Sequence, residues 1–313
     1  MDSSNRKIAV VGTGVIGASW TACFLANGYD VAATDPAPGA ETRLRKLVDD
    51  YWPSLQRMGL AEHASPARLS FHDNVAAAVD DSVFVQENGP ERMDIKRATL
   101  KEIDAAAPAD TLIATSSSGI RISDIQDAAS RPERVLLGHP FNPPHLIPLV
   151  EVAGGTQTSP QAIEQAMQFY SSIGKKPIHL RREVKGHIAN RLQAALWREA
   201  FYLVEQGVAS VSDIDTAIAH GPGLRWALLG PFMNLHLSGG QGGITHVLEH
   251  LGPPIESWWE DLGEVKLNPE LNRALAQGVD EQLGSADLAE ITAQRDDILL
   301  SMLEMKADSR LVP

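Results

Sequence analysis

Apolar positions in the first half of the chain fall alternately into short continuous runs and into stretches with helical spacing. Residues 8–11 form an apolar run, which is followed by a glycine-rich turn and by an apolar helical stretch that ends at Gly28. Further strand-like runs lie at residues 30–34, 68–71, 82–86, 111–114, 135–137, 146–150 and 177–180, and helical stretches lie at 39–60 with a break expected at Pro53, just before Val79, and at 95–107, 122–129 and 162–173. This alternation predicts an α/β fold with a doubly wound, mainly parallel sheet, whose ligands bind at the carboxyl ends of the strands.

The hydrophobic pattern changes near residue 185. From Gly186 to the end of the chain only helical spacing is found, and Asn190, Trp197 and Phe201 fall on one face of the first long helix. A chain of 313 residues is long enough for two separate cores. We therefore predict an α/β domain at residues 1–185 and an all-α domain at residues 186–313.

The turn after the first strand has the sequence GTGVIG at residues 12–17, between a buried strand and a helix. Glycines at this spacing allow a tight turn, a close approach of the backbone to a pyrophosphate, and close packing of the helix on the sheet, so the context predicts a Rossmann dinucleotide site. The second strand ends at Asp35, whose carboxylate would accept hydrogen bonds from the ribose hydroxyls and repel a 2′-phosphate. The predicted cofactor is NAD rather than NADP. The turn residues expected to bind it are Gly12, Gly14, Val15, Ile16 and Gly17.

A histidine lies between a strand-like run and a proline-rich loop at residues 138–143, GHPFNP. At the edge of a sheet, a neutral imidazole can exchange a proton with a substrate. Glu151 follows the next apolar run, so a returning strand would bring its carboxylate beside His139 and orient the ring. The alternative interpretation of the pair is a capped loop histidine and a surface glutamate.

Five segments together resemble the signature series of the 3-hydroxyacyl-CoA dehydrogenase superfamily. They are residues 12–17 (GTGVIG), 116–119 (SSSG), 139–143 (HPFNP), 148–152 (PLVEV) and 186–192 (GHIANRL). The resemblance covers nearly the whole chain and keeps the order and spacing of the motifs. It implies an NAD-binding Rossmann domain, an all-α substrate and dimerisation domain, and oxidation of an L-3-hydroxy group to a ketone.

The resemblance also implies roles for individual residues. His139 would be the general base and Glu151 its partner, while Ser118 and Asn190 would bind the substrate oxygen. Which serine of the run 116–118 serves in this role stays open. The residues that match NAD-contacting positions are Asp35, Glu91, Lys96 and Asn142.

The substrate-dependent segments resemble more than one branch of the superfamily. Residues 35–41 (DPAPGAE), 196–200 (LWREA), 223–227 (GLRWA) and 237–240 (LSGG) resemble the carnitine dehydrogenase branch, whereas residues 142–145 (NPPH) are closer to the L-gulonate dehydrogenase, or lambda-crystallin, branch. A longer, lysine-rich helical hairpin of the acyl-CoA enzymes is replaced here by a shorter segment that contains residues 48–52 (VDDYW). The expected substrate is a short L-3-hydroxy acid without CoA, with L-carnitine the best single choice.

Short-chain L-3-hydroxyacyl-CoA and L-gulonate are the alternative substrates. A catalytically silent NAD-binding or structural protein is an alternative of another class. It is disfavoured because Ser118, His139, Glu151 and Asn190 are all present.

A carnitine site requires aromatic faces for the trimethylammonium group. Trp197 is two helical turns beyond Asn190 on the predicted helix, about 10 Å along its axis, and helical side chains lean toward the N-terminus. Phe141, Trp226 and Phe232 would complete an aromatic cage, and Arg225 would bind the carboxylate. The alternative is that these tryptophans pack between helices.

Charge and composition restrict the partners. The formal net charge is −13 and no basic patch is present, so nucleic acid and an anionic membrane are not expected partners. No apolar run is long enough to span a bilayer, and the single cysteine, Cys23, fits a reducing, cytoplasmic setting. Large apolar residues in the helical half, together with the resemblance, predict a homodimer through that half. Residues 246–250 (HVLEH) match a zinc-peptidase spacing, but we predict no metal site because the proline-rich residues 251–254 should end that helix.

Overall fold

The computed structural model describes residues 7–309. In this range one sheet contains eight strands, in the spatial order β3-β2-β1-β4-β5-β6-β7-β8. The strands are β1 (Lys7–Val11), β2 (Asp30–Thr34), β3 (Leu69–Phe71), β4 (Ser82–Glu87), β5 (Leu112–Thr115), β6 (Val135–Pro140), β7 (Leu149–Gly154) and β8 (Lys176–Leu180). All neighbours are parallel except β6 and β7, which are antiparallel. The predicted doubly wound α/β sheet is confirmed.

Helices alternate with the strands in the first part of the chain and follow one another in the second. They are α1 (Val15–Ala26), α2 (Ala40–Met58), α3 (Val75–Val79), α4 (Met93–Ala106), α5 (Pro160–Ser172), α6 (Ala189–Glu205), α7 (Val211–His220), α8 (Pro222–Trp226), α9 (Pro231–Ser238), α10 (Gly243–Asp261), α11 (Pro269–Leu283) and α12 (Leu288–Asp308). After β8 the described chain contains helices and loops but no strand, so the predicted all-α second half is confirmed as a fold class.

Apolar side chains pack on both faces of the sheet, because parallel strands covered by helices are buried on both sides. One core cluster lies around Trp20, Phe24 and Tyr170, and the other around Val85 and Ile113. Helix α1 is apolar around its whole circumference, and ten of its twelve residues are buried. The sheet and these helices therefore form a rigid support for the loops at the carboxyl ends of the strands.

Three local expectations about helices were wrong. Helix α2 runs through Pro53 and α10 runs through Pro253 and Pro254. A proline removes one backbone donor, but its fixed φ near −65° fits a helix, so flanking turns that pack well continue through it.

The third wrong expectation is the helix at residues 122–129. The structure contains two 3-10 turns there, Ile122–Asp124 and Gln126–Ala128. The backbone N–H of Ser123 donates to Glu183 at 3.1 Å, and its hydroxyl also donates to that carboxylate. Such side-chain bonds compete with the bonds of a regular helix.

The described residues form two compact units that divide between Arg191 and Leu192. The predicted domain boundary at residue 185 lies shortly before this division and stays a prediction. In the described range 7–309, no helix combines the length and the apolar composition that crossing a bilayer requires.

Candidate active site

The glycine turn between β1 and α1 has the geometry of a dinucleotide site. Gly12 has φ +87°, and a Cβ there would lie 2.8 Å from the Asn88 carbonyl carbon. A Cβ on Gly17 would lie 1.9 Å from the Gly12 oxygen, whereas a Cβ on Gly14 would meet nothing within 4 Å. No side chain caps the N-terminus of α1, which begins at Val15. The turn therefore leaves open space in front of backbone N–H groups, which is what a pyrophosphate needs.

A cavity of about 840 Å³ opens beside this turn. It lies where the strand order reverses, between β1 and β4, which is the place for a ligand in an open α/β sheet. Its lining comes from the turns after β1, β2, β3 and β4 and from α4. The cavity and the turn fit the adenosine and pyrophosphate of NAD.

Asp35 lies in the lining of this cavity, directly after β2. Its two carboxylate oxygens accept the N–H groups of Thr13 at 2.7 Å and Ala37 at 2.8 Å. These bonds hold the carboxylate beside the glycine turn. The side-chain hydroxyl of Thr13 is buried and has no hydrogen-bond partner among the described residues.

Lys96, a predicted NAD contact, is buried in the first turn of α4. Its ammonium group donates to Glu87 at 2.8 Å and 3.1 Å and to the Gly89 carbonyl at 3.0 Å. Glu87 also accepts the N–H of Gly89 and the hydroxyl of Thr115. The pair therefore fixes the loop after β4, and a direct contact of Lys96 with NAD stays a prediction. Sequence reasoning missed Glu87, although an acidic residue at the end of an apolar strand and a lysine nine positions later are a usable signal.

Glu91, another predicted NAD contact, holds the serine loop after β5. One of its carboxylate oxygens accepts the Ser117 hydroxyl at 2.6 Å and the N–H groups of Gly119 and Ile120 at 2.8 Å and 3.0 Å. Burial raises the pKa of the Glu91 carboxyl, but these hydrogen bonds outweigh burial and leave the pKa below its usual range. A charged Glu91 thus connects the loop after β4 to the serine loop.

The structure distinguishes the three serines of this loop. The Ser116 hydroxyl donates to Asn88 at 2.7 Å and accepts from Gln86 at 2.9 Å, and the Ser117 hydroxyl is bonded to Glu91 and Ile120. Ser118 is exposed, and its hydroxyl has no hydrogen-bond partner among residues 7–309. Ser118 is therefore the serine that is available to a ligand.

His139 and Glu151 lie directly opposite each other on the antiparallel strands β6 and β7. The Nδ1 atom of His139 is 2.9 Å from Oε2 of Glu151, and the other oxygen of Glu151 accepts the N–H groups of Ile188 and Ala189 at 2.8 Å and 3.0 Å. Burial raises the pKa of Glu151, but the bonds from His139 and the two amides outweigh it, so the pKa lies below its usual range. Because an ionised carboxylate takes Nδ1, Nε2 is the ring nitrogen left for a substrate.

A buried polar network supports the strand that carries His139. Tyr170 donates to Gln86 at 2.6 Å, and the Gln86 amide donates to the Gly138 carbonyl at 3.2 Å. Burial raises the pKa of Tyr170 well above its usual value, so its hydroxyl keeps the proton that it donates. A Cβ on Gly138 would lie 1.9 Å from the Tyr170 oxygen, which explains the glycine before the histidine.

Asn190 is the second residue of α6, next to the amide of Ala189 that binds Glu151. Phe141 and Asn142 follow His139 in the loop after β6, where Asn142 is exposed and Phe141 half-buried. The Lys175 ammonium group binds the carbonyls of Pro144 and Ile147 and so fixes the far side of that loop. The structure thus brings Asn190 near the His139–Glu151 pair, and it leaves Asn142 open to a ligand.

Two further histidines, His145 and His187, lie near the loop after β6 and near His139. The His145 ring stacks on Tyr51 at 4.1 Å and bonds to Ser19 at 2.8 Å, so it belongs to the packing between loop and helices. His187 is buried with its ring centroid 4.9 Å from that of His139. The only sequence signal for His187 was its place in the segment GHIANRL at residues 186–192.

The remaining predicted substrate residues lie in the second unit. Trp197 lines a cavity of about 230 Å³ together with Phe201 and Asp215. Arg225 and Trp226 are exposed at the end of α8, and Phe232 is 78% exposed in α9. Their predicted part in substrate binding stays a prediction.

The motif HVLEH lies within α10. The His246 and His250 rings are 4.0 Å apart, and His250 Nδ1 is bonded to the His246 carbonyl. Residues 7–309 contain no group of three or more histidine, cysteine, aspartate or glutamate side chains that could hold a metal ion.

Family comparison accounts for both halves of the chain. Residues 7–184 match the NAD binding domain of 3-hydroxyacyl-CoA dehydrogenase, and residues 186–279 match the C-terminal domain of 3-hydroxyacyl-CoA dehydrogenase. The chain belongs to the 3-hydroxyacyl-CoA dehydrogenase family. It is thus an NAD-dependent oxidoreductase that acts on a CH–OH group, as the sequence resemblance predicted.

Individual relatives match over nearly their full lengths. The chain is 50% identical to the L-carnitine dehydrogenase of Streptomyces coelicolor, over 98% of this chain and 96% of the relative. It is 47% identical to the L-carnitine dehydrogenase of Bacillus cereus, over 97% and 93%. A solved structure, the NAD+-dependent 5-formyl-3-hydroxy-2-methylpyridine 4-carboxylic acid 5-dehydrogenase, is similar with a TM-score of 0.83 at 29% identity, covering 96% of this chain and 98% of that one.

Proposed function

We propose that the protein oxidises the 3-hydroxy group of L-carnitine to a ketone with NAD. The observation that supports the chemistry is the His139–Glu151 pair across β6 and β7. The loop after β4, which lines the cofactor cavity, follows a strand of the same sheet. The choice of carnitine is supported by the full-length similarity to enzymes named for it. The single 19-residue helix between β2 and β3 also differs from the longer hairpin expected of acyl-CoA enzymes.

The proton of the substrate hydroxyl would pass to Nε2 of His139. The ionised Glu151 would stabilise the imidazolium that forms and would keep Nδ1 protonated, so that Nε2 is the acceptor. Ser118 and Asn190 would hydrogen-bond the substrate oxygen and keep it at that nitrogen. NAD, when bound, supplies the acceptor for the hydride that leaves C3. The turn residues, Asp35 and the loops held by Glu91 and Lys96 would keep it in place.

Asp35 should select NAD over NADP, because its carboxylate lies in the cofactor cavity and would repel a 2′-phosphate. Calorimetry should give at least about tenfold tighter binding of NAD, or about 1.4 kcal/mol. Asp35→Asn should reduce the ratio of the affinity for NAD to the affinity for NADP. Asp73→Asn removes another carboxylate from the same cavity lining and serves as the matched control. Equal affinities in the wild-type protein would contradict the role of Asp35.

The substrate is tested by NADH absorbance with a panel of hydroxy compounds: L-carnitine, 3-hydroxybutyrate, 3-hydroxybutyryl-CoA and L-gulonate. We expect turnover of L-carnitine with a kcat/KM above that of every other compound. 3-Hydroxybutyrate lacks the trimethylammonium group and measures what that group contributes. Good turnover of the thioester or of L-gulonate without turnover of carnitine would show that the substrate assignment is wrong. No turnover of any compound would favour a catalytically silent NAD-binding or structural protein.

For recognition of the trimethylammonium group we propose Trp197, with Phe141, Trp226 and Phe232 as further aromatic faces and Arg225 for the carboxylate. Cation–π contacts contribute roughly 0.5–2 kcal/mol each. Trp197→Ala should therefore reduce the preference for carnitine over 3-hydroxybutyrate by a factor of about 2 to 30, and a ratio that stays unchanged would contradict the cage.

The helical unit is expected to form a homodimer. Among its described apolar residues only Val247, Leu271 and Leu300 are fully buried, while Trp258 and Trp259 are 61% and 66% exposed. A helical domain with so small a core needs another surface to cover its apolar side chains. Sedimentation at micromolar concentration should show a dimer, and monomer alone would contradict this assignment.

We also propose a cytoplasmic setting, which is supported by the buried free thiol of Cys23.

A further inference from the structure

His187 contacts both the serine loop and the proposed base. Its Nε2 atom is 3.1 Å from the Ser117 carbonyl oxygen, which can only accept, so the ring must carry a proton on Nε2. Its centroid is 4.9 Å from that of His139, with an angle of 49° between the rings. The ring is thus held between two elements that the proposed chemistry must keep together.

The backbone of His187 has an unusual conformation. Its φ is +52°, a left-handed value that side chains other than glycine rarely adopt. The next two N–H groups, of Ile188 and Ala189, both donate to Glu151. The bend at residue 187 therefore places the ring against His139 and the following amides on the partner of His139.

The position of Ser118 depends on the residue before it. The Ser117 hydroxyl is fixed by Glu91 and its carbonyl by His187, whereas the Ser118 hydroxyl has no partner of its own in the described range. Loss of the bond to the carbonyl would let the Ser117–Ser118 peptide rotate. The hydroxyl of Ser118 would then leave the place that the substrate oxygen requires.

We propose that His187 is a positioning residue. It holds the Ser118 hydroxyl and the His139 imidazole in the positions from which both contact one substrate oxygen. This role rests on the proposed dehydrogenase reaction and adds to it a residue whose own ring transfers no proton.

The surroundings of His187 keep its ring neutral. Burial lowers the pKa of His187 most, and the neighbouring His139 lowers it further, while the Ser117 carbonyl, Glu151 and Glu91 act in the opposite direction and leave a net decrease. Glu183 and Arg121 line a small cavity of about 10 Å³ together with His187. A neutral ring adds no positive charge beside a base that must itself become positive.

Two substitutions test the hydrogen bond. His187→Phe keeps a flat ring but removes the donor, and it should lower kcat by about tenfold to hundredfold while KM and NAD affinity change less than about threefold, because misplacement acts on the reacting geometry. His187→Gln keeps a donor and should recover most of kcat. His179→Phe, at an exposed histidine on β8, is the matched control and should behave as wild type. An unchanged kcat in His187→Phe overturns the proposal, as does a loss that His187→Gln does not recover.

A double-mutant cycle tests whether His187 acts through Ser118. Ser118→Ala alone should lower kcat by about 10²-fold to 10³-fold, as expected for loss of one donor to the reacting oxygen. Adding His187→Phe should then lower kcat by less than it does in the wild type, because only the contact with His139 is left to lose. Losses that multiply would show that His187 acts independently of Ser118, and the proposal would be wrong.

A third measurement does not need turnover. Nitrogen NMR of the imidazole rings, assigned with His187→Gln, should show His187 at pH 7 as the neutral Nε2–H tautomer. The Nδ1–H tautomer or a charged ring would overturn the inference. If no panel compound is oxidised but this tautomer is found, the failure lies with the proposed function and not with the position of His187.

Discussion

Replacing His139 with alanine should lower kcat by about two to four orders of magnitude and leave NAD affinity nearly unchanged. The reason is that hydride leaves C3 only as the hydroxyl proton departs, and positioned general bases contribute factors of this size. His139 is only 7% exposed and its Nδ1 is taken by Glu151, so no other orientation of the ring would serve as well. Steady-state kinetics with saturating carnitine, together with calorimetry for NAD, measure both quantities.

A control variant separates the loss of the base from a general loss of packing in His139→Ala. His145→Gln removes a buried histidine that is bonded to Ser19 and serves as the control for general loss of packing. A His139→Ala variant with near-normal kcat would remove His139 from the mechanism.

The sequence was sufficient for the features that local patterns determine. The glycine turn, the strand that ends before Asp35, and the return of Glu151 beside His139 all follow from runs of apolar residues and their lengths. The pairing of His139 with Glu151 was predictable because a short proline-rich loop between two strands favours an antiparallel pair, in which side chains of opposed residues lie on the same face.

Contacts between distant segments could not be predicted in this way. Ser118 became distinct from its neighbours only when Asn88 and Glu91, from another loop, were placed against Ser116 and Ser117. The ion pair of Lys96 with Glu87 depends on how α4 packs after β4. The place of His187 depends on a left-handed backbone that no propensity indicates at a histidine. Each of these contacts can be predicted only once the pairing of all the strands in the sheet is known.

Local helix expectations failed for a related reason. Residues 122–129 have helical spacing, but the bond between Ser123 and Glu183 joins segments sixty positions apart and replaces a regular helix with 3-10 turns. In the opposite direction, packing of Leu44, Val48 and Leu55 keeps α2 continuous through Pro53. Tertiary contacts therefore decided both cases against the local sequence signal.

Glu151→Gln is the second substitution with a large expected effect, a loss of about 10²-fold to 10⁴-fold in kcat. An amide oxygen can still accept the N–H groups of Ile188 and Ala189, but the NH₂ group would then donate to Nδ1 of His139. Nε2 would carry the proton in the neutral ring and could not accept another. Comparable replacement of a triad aspartate by asparagine elsewhere lowers kcat by about 10⁴ for this reason.

A buried carboxylate of another kind provides the control for Glu151→Gln. Asp104 is buried and is bonded to Arg134 at 2.8 Å, at the amino end of β6, whereas His139 lies near the carboxyl end of the same strand. Asp104→Asn should lower the free energy of unfolding with little effect on kcat. If Glu151→Gln kept its kcat, or if both variants lost kcat equally, the orientation role of Glu151 would be contradicted.

Acid stability gives Glu151 a signature that does not depend on turnover. Its pKa in the folded protein lies below the ordinary value of 4.5, so the unfolded chain binds the proton more tightly, and the ionised group contributes stability above pH 4.5 that is lost as the pH falls. His187 also lowers the free energy of unfolding as the pH falls below 6.5, because its folded pKa is lowered and the unfolded ring takes up the proton first. Denaturant unfolding of the wild type should therefore show two acid-dependent losses of stability. Glu151→Gln should make the loss below pH 4.5 smaller and leave the one that begins near 6.5, while Glu91 and Asp104, whose pKa values are also lowered, keep part of the lower one. His187→Phe should reduce the loss that begins near 6.5 and leave the lower one. Equal acid profiles for all three proteins would show that neither group is held as the structure places it.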